Sequence, residues 1–183
     1  VVLGEPGAGK STLLAAAFPH SPVLRGLRGL ERLPYRPVLD ALRQHTPALQ
    51  RALADPFSRL RPYRLDLARL MPELAPDEAL PPLDALTARS RLTEALVRAF
   101  EGLAPPLVVD DLQWCDGATL EWLALLAHDG RLRWRAAARS HALGAAAQAL
   151  LSDLGQAGRL HTLRLAPLPR DALPAVCAWQ GGT

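Results

Sequence analysis

The sequence contains no isoleucine and no asparagine, and Lys10 is its single lysine in 183 residues. A GC-rich genome produces such a bias toward arginine, so these absences speak to codon usage more than to chemistry. They do make the position of the one lysine informative. Cysteine is scarce as well: Cys115 and Cys177 lie far apart, with no His or Cys at ligand spacing. That argues against a disulfide framework and against a clustered zinc site, and both thiols read as core or near-core groups. No apolar run approaches the roughly 18 residues that a membrane span needs. No charged stretch followed by an apolar one marks a signal peptide. The expectation is a soluble, cytoplasmic protein with no membrane partner.

What is present suffices for one domain, or one and a fragment, because 49% of the residues are hydrophobic. The net charge of +3 raises the question of nucleic acid. The arginines, however, are spread through amphipathic segments instead of forming a block, which favours a solvated surface over a groove for nucleic acid. The chain opens on Val1-Val2-Leu3, which reads as the end of a strand begun upstream, and it stops at Gly181-Gly182-Thr183 after another helical pattern. The expectation is a piece of a longer protein.

Hydrophobic periodicity predicts alternating elements. The stub Val1 to Leu3 runs through a glycine-rich turn into a helix from about Gly9 to Ala17, and a strand is expected near Pro22 to Arg25. From Arg36 to Leu53, Val38, Leu39, Leu42, Leu49 and Leu53 fall mostly at helical spacing, with Pro47 bending or dividing the helix. Residues 55–82 hold six prolines among short leucine-rich stretches and read as an insert of short helices and loops. Leu83 to Phe100 is a helix, Leu107 to Asp110 a strand, Gly117 to His128 a helix, Leu132 to Ala138 a strand and Ala142 to Leu154 a helix. Arg159 to Leu165 alternates as a strand, and Pro169 to Ala178 is a final helix. Strands separated by helices imply an α/β fold: three layers, with a mainly parallel sheet and helices on both faces.

The run Gly4-Glu5-Pro6-Gly7-Ala8-Gly9-Lys10-Ser11 matches the phosphate-loop pattern of Gly, four residues, Gly-Lys-Ser. Glycines let the backbone turn successive N–H groups toward phosphate oxygens, and the helix that follows presents its positive end to the same anion. Lys10 would place its charge on the β and γ phosphates, and the Ser11 hydroxyl would ligate Mg²⁺. Thr12 lies next to these groups, its hydroxyl satisfied locally. The context of apolar strand, loop and helix is what separates this pattern from a chance match.

The second constellation is Leu107-Val108-Val109-Asp110-Asp111, an apolar strand ending in two acids. Asp110 would hold Mg²⁺ through water, and Asp111 would polarise an attacking water as general base. Adjacent carboxylates alone are usually a solvated turn; closing a buried strand after a phosphate loop is what gives this pair its catalytic reading.

Extended to Leu112-Gln113-Trp114-Cys115-Asp116, the second motif resembles that of the AAA-ATPase-like domain in STAND-class signalling NTPases. It is similar in particular to the large bacterial LuxR-type and SARP-like transcriptional regulators. Gly4 to Ser11 and Leu33-Pro34-Tyr35-Arg36-Pro37 are similar to the corresponding segments of those proteins, so the resemblance covers almost the whole chain. It implies ATP with Mg²⁺ as ligand, Lys10 and Ser11 in the phosphate and metal roles, Asp110 as metal ligand and Asp111 as catalytic acid/base. It also implies that Arg139, after Ala136-Ala137-Ala138, sits where such domains place a sensor of the γ-phosphate, although an arginine at a strand end is otherwise a surface residue. Trp114 is assigned to packing at a helix start and Asp116 to capping that helix.

The expected function is a slowly hydrolysing nucleotide switch, self-associating when ATP is bound and reaching DNA only through a domain outside this chain. The winged-helix and effector regions that follow the nucleotide domain in such regulators are absent. ATP over GTP rests on the resemblance alone. Two alternatives stand beside this reading: a working ATPase motor or other P-loop enzyme, and a scaffold that binds nucleotide without turnover.

Overall fold

Short runs of Val, Leu and Ala form five strands in the computed structural model, which describes residues 1–103 and 106–166. They are β1 (Val2–Gly4), β2 (Val23–Arg25), β3 (Leu107–Asp110), β4 (Trp134–Ala138) and β5 (Leu163–Leu165). All pair in parallel, in the order β2-β3-β4-β1-β5. Parallel pairing requires crossovers, and the helices supply them: α1 (Lys10–Ala17), α2 (Arg36–Gln44), α3 (Thr46–Ala54), α4 (Arg64–Ala68), α5 (Ala85–Glu101), α6 (Gly117–Asp129) and α7 (Ala145–Gln156).

The alternation of side chains along each strand divides the core in two. Val2, Val108 and Ala137 face one side and are covered by Leu14 of α1 with Phe18. Leu3, Val109, Ala136 and Ala138 face the other, larger side, which α2, α3, α5, α6 and α7 cover. At the heart of that side the rings of Phe100 and Trp122 lie 5.4 Å apart. This is the expected α/β architecture, with helices on both faces of a sheet that is parallel throughout.

Local chemistry sets the boundaries. The helix expected over 36–53 is divided at His45, and Pro47 sits in the first turn of α3, where its missing N–H forfeits no helical bond. The strands expected over 132–138 and 159–165 begin later, at Trp134 and Leu163. The helix expected from Ala142 opens as a 3-10 turn, Ser140–Ala142, before α7 proper. Asp84 caps α5 by accepting from the Thr87 N–H at 2.9 Å. The expected last helix, 169–178, and Cys177 lie outside the described residues.

The proline-rich insert is short helices, as its composition predicts; Leu60, Leu67, Met71 and Leu74 bury it in the larger core, and an arginine of α5 adds an ion pair with a buried acid. Arg91 of α5 meets the buried carboxylate of Asp66 on α4 through two bonds, Nε to Oδ1 at 3.0 Å and Nη2 to Oδ2 at 2.7 Å. The same guanidinium donates to the Pro62 carbonyl and lies over the Tyr63 ring.

Candidate nucleotide site

β1 occupies a switch point: the chain leaves it across β4 and β3 to reach β2, and returns from β4 across β1 to β5. Ligands of open parallel sheets bind at such a point, beyond the carboxyl ends of the strands. The phosphate-loop residues, the acid pair and Arg139 lie at that edge.

The loop between β1 and α1 is built on two left-handed glycines, Gly7 at φ 79° and Gly9 at φ 81°. Gly4 has a different reason to be glycine. It ends β1 with an ordinary backbone, and a Cβ there would stand 2.7 Å from the Leu165 carbonyl oxygen of β5. The expectation that the loop's glycines serve to turn the backbone is therefore corrected at Gly4, which serves close packing between strands. No side chain caps α1, so the N–H groups of its first turn are left for an anion. Glu5 and Pro6 are exposed in the loop, Ala8 is buried under it, and Thr12 lies on the exposed side of the first turn. Lys10 is buried, and its Nζ donates to the Glu5 carbonyl at 2.8 Å, folding the lysine back over its own loop.

Ser11 reaches the second motif across β4. Its Oγ donates to Asp110 Oδ1 at 2.7 Å, and the same oxygen accepts the Asp111 N–H. Serine and aspartate oxygens brought this close are the hard donor pair that suits Mg²⁺, so the residues present fit that ion. Asp111 follows at φ 53°, a left-handed conformation uncommon for any residue but glycine. Its Oδ1 accepts from Gln113 Nε2 at 2.6 Å, and the Arg139 guanidinium approaches the same oxygen at 3.9 Å.

Three neighbours went unassigned to the site in the sequence. Arg25 ends β2 in register with Asp110, and its Nε lies 3.8 Å from Asp110 Oδ2. Strand register could have found it, since parallel strands align their ends. His141 lies 3.4 Å from the Glu5 carboxylate on the rim of the loop. Gln113 carried no signal beyond its place in the motif, because its second partner is the Arg139 N–H, 26 positions on.

Asp116 caps α6 as expected, accepting from the Thr119 N–H and hydroxyl, and it does something further. Its Oδ1 also accepts the N–H of Tyr35, another left-handed residue, which ties the turn before α2 to the start of α6. Trp114 stands three residues before α6. It closes a 3-10 turn, Leu112–Trp114, and is half-exposed beneath the Arg28 guanidinium. Beside it the buried Cys115 thiol is pushed up to about 12, by burial first and then by the charges of Asp116 and Asp111.

The site thus holds two carboxylates at the end of β3, a cation beside them from the end of each adjacent strand, and a buried lysine in the neighbouring loop. Such an array can bind a polyphosphate with a divalent ion and present a carboxylate to water. Among the described residues no helix is long and apolar enough to cross a membrane. No curated protein and no solved structure matches the chain. A family model, the AAA ATPase domain, matches residues 1–138, from the strand that leads into the phosphate loop to the last residue of β4. The chain belongs to the AAA ATPase domain family.

Proposed function

We propose that this chain is the ATP-binding, slowly hydrolysing switch of a bacterial signalling or transcriptional regulator of the STAND class, acting in the cytoplasm. The observation that carries the reading is the meeting of Lys10, Ser11, Asp110, Asp111 and Arg139 at one edge of the sheet. Lys10 bonds its own loop and Ser11 bonds Asp110. Nucleotide binding would exchange the first bond for phosphate, and Ser11 with Asp110 would hold Mg²⁺, which would supply positive charge against the phosphates.

Asp111 accepts a proton from water as that water bonds to the γ-phosphorus and the bond to the β,γ-bridging oxygen breaks, giving ADP and inorganic phosphate, while Arg139 balances charge on the transferring group. A nucleotide kinase needs an acceptor site and an arginine-rich lid; the acid pair favours water as nucleophile instead. The bound state closes the domain and favours self-association, and hydrolysis resets it. Contact with DNA belongs to a domain outside this chain.

ATP turnover with Mg²⁺, with and without DNA, tests the reading beside Asp111→Asn. Turnover well below the ~1 to 10³ s⁻¹ of metabolic enzymes, reduced by roughly 10²–10⁴ in Asp111→Asn with binding retained, is the expected result. Fast turnover would make the chain a motor or a metabolic enzyme. Equal rates in parent and variant would remove Asp111 from the mechanism.

A further inference from the structure

We propose that Gln113 is the positioning residue for Asp111 and couples that carboxylate to the end of β4 that carries Arg139. The inference rests on the hydrolytic reading above and adds to it a residue through which the general base is held.

Gln113 lies in the 3-10 turn that begins one residue after Asp111, and only 6% of its surface is exposed. Its amide has two partners. Oε1 accepts from the Arg139 backbone N–H at 3.1 Å, and Nε2 donates to Asp111 Oδ1 at 2.6 Å. A backbone N–H only donates and a carboxylate only accepts, so the amide has a single orientation that satisfies both. The two partners belong to the ends of neighbouring strands, so the bridge spans the sheet edge where the phosphate chain would lie.

The consequence for Asp111 is directional. With Oδ1 engaged by Gln113, and by Arg139 at longer range, Oδ2 has no hydrogen-bond partner among the described residues and is left to accept from water. Asp111 also stands in a left-handed conformation, which persists where surrounding contacts over-determine it. The short bond to Gln113 is one of those contacts. A shift of β4's end, as Arg139 engages or releases phosphate, moves the Arg139 N–H and with it the amide that aims Asp111. The same residue thus serves geometry and communication between base and sensor positions.

The bridge tolerates little replacement. Leucine at 113 fills the space but leaves the Arg139 N–H unpaired and Asp111 free to rotate. Asparagine keeps the amide but is one methylene too short to reach both partners.

The test measures kcat and KM for ATP with Mg²⁺, and Kd for ADP with Mg²⁺ alone or with aluminium fluoride. The full chain is compared as parent, Gln113→Leu, Gln113→Asn, Asp111→Asn and the double variant Gln113→Leu/Asp111→Asn. Misplacing a catalytic group by about 1 Å can lower rate on the order of 10²-fold. The expected result is a kcat lower by roughly 10- to 100-fold in both Gln113 variants, ADP affinity within about twofold of the parent, and a weakened preference for the fluoride complex. In the Asp111→Asn background, loss of Gln113 should change kcat by less than about twofold, because the group it positions has already gone.

Parent-like kcat in either Gln113 variant, losses that multiply in the double variant, or ADP affinity falling in step with kcat would overturn the assignment. Thermal melts identify a variant that does not fold; should Gln113→Leu fail, Gln113→Asn carries the same comparison, paired with Asp111→Asn. No turnover by the parent would overturn the hydrolytic reading itself, a failure distinct from turnover that ignores Gln113, and the positioning role would fall with it.

Discussion

Lys10 is the only lysine in the sequence, and the structure buries its charged end against the carbonyl of Glu5. An ammonium carries three donors, and its charge favours anionic acceptors over a neutral carbonyl. Phosphate oxygens are better partners, so binding energy from this residue belongs to the complex more than to the free chain. Lys10→Ala should weaken ATP binding on the order of ten- to a hundredfold, the worth of one charge-assisted hydrogen bond. Titration calorimetry with a non-hydrolysable analogue measures it, and unchanged affinity would remove the phosphate-loop assignment. Placement at this scale was legible where motif order and context fix it. Lys10, Ser11 and the acid pair could be read from order and context alone. Gly4 could not: its reason is the Leu165 carbonyl on β5, at the other end of the described chain, and local sequence carries no trace of that approach.

At the scale of elements, the segment after β2 and the segment after β3 are held to each other by backbone as well as side chains. The Gly26 N–H donates to the Asp110 carbonyl, and a Cβ on Gly26 would stand 2.2 Å from the Asp111 carbonyl oxygen. Asp116 completes the contact through its bonds to Tyr35 and Thr119. Its removal takes away a helix cap, worth about 1 kcal/mol, and leaves a second N–H, that of Tyr35, to find water.

Asp116→Ala should therefore lower unfolding free energy by about 1–3 kcal/mol in denaturant titration, with Asp116→Asn recovering part of it. A loss no larger than that of an ordinary surface cap would mean that the Tyr35 tie contributes nothing. The capping role was readable from an aspartate just before a helical pattern. The tie was not, because it joins positions 81 apart through a left-handed tyrosine that nothing in the sequence marks.

The insert gives the complementary case. Its composition announced short helices and no function, whereas its attachment adds to the buried Leu60, Leu67, Met71 and Leu74 an ion pair with a buried acid. Asp66 is almost fully covered, while the Arg91 side chain is 43% exposed, so solvent screens the pair from one side. Arg91→Ala would strand the Asp66 carboxylate, at roughly 1–3 kcal/mol after that screening. Limited proteolysis should then cut first within 55–82, ahead of the sheet and its helices. Cleavage spread evenly over the chain would deny the insert a local anchor.

Across the whole molecule, the paired strand ends explain why one nucleotide could be felt widely. Arg25 ends β2, Asp110 ends β3, Arg139 follows β4 and Gly4 ends β1, so four neighbouring strands deliver groups to one line. Charge is balanced there by Arg25 facing Asp110 and Arg139 facing Asp111, both at nearly 4 Å, with both arginine side chains open to solvent. Pairs so long and exposed contribute little to stability, which leaves both arginines available to exchange partners when phosphate arrives.

A switch that converts such exchanges into self-association must bind ATP more tightly in the assembled form. Moving a population from 1:99 to 99:1 takes a preference of about 10⁴-fold, or ~5.5 kcal/mol. A few re-formed charge-assisted bonds supply that order of energy. The proposal predicts that Asp111→Asn, which binds ATP without consuming it, accumulates in the associated form with ATP and Mg²⁺ and stays monomeric with ADP. Sedimentation velocity reads the two states directly. If the variant sediments identically with ATP and ADP, the binding energy does not go into assembly, and the motor-like or enzymatic alternative gains the ground that self-association loses.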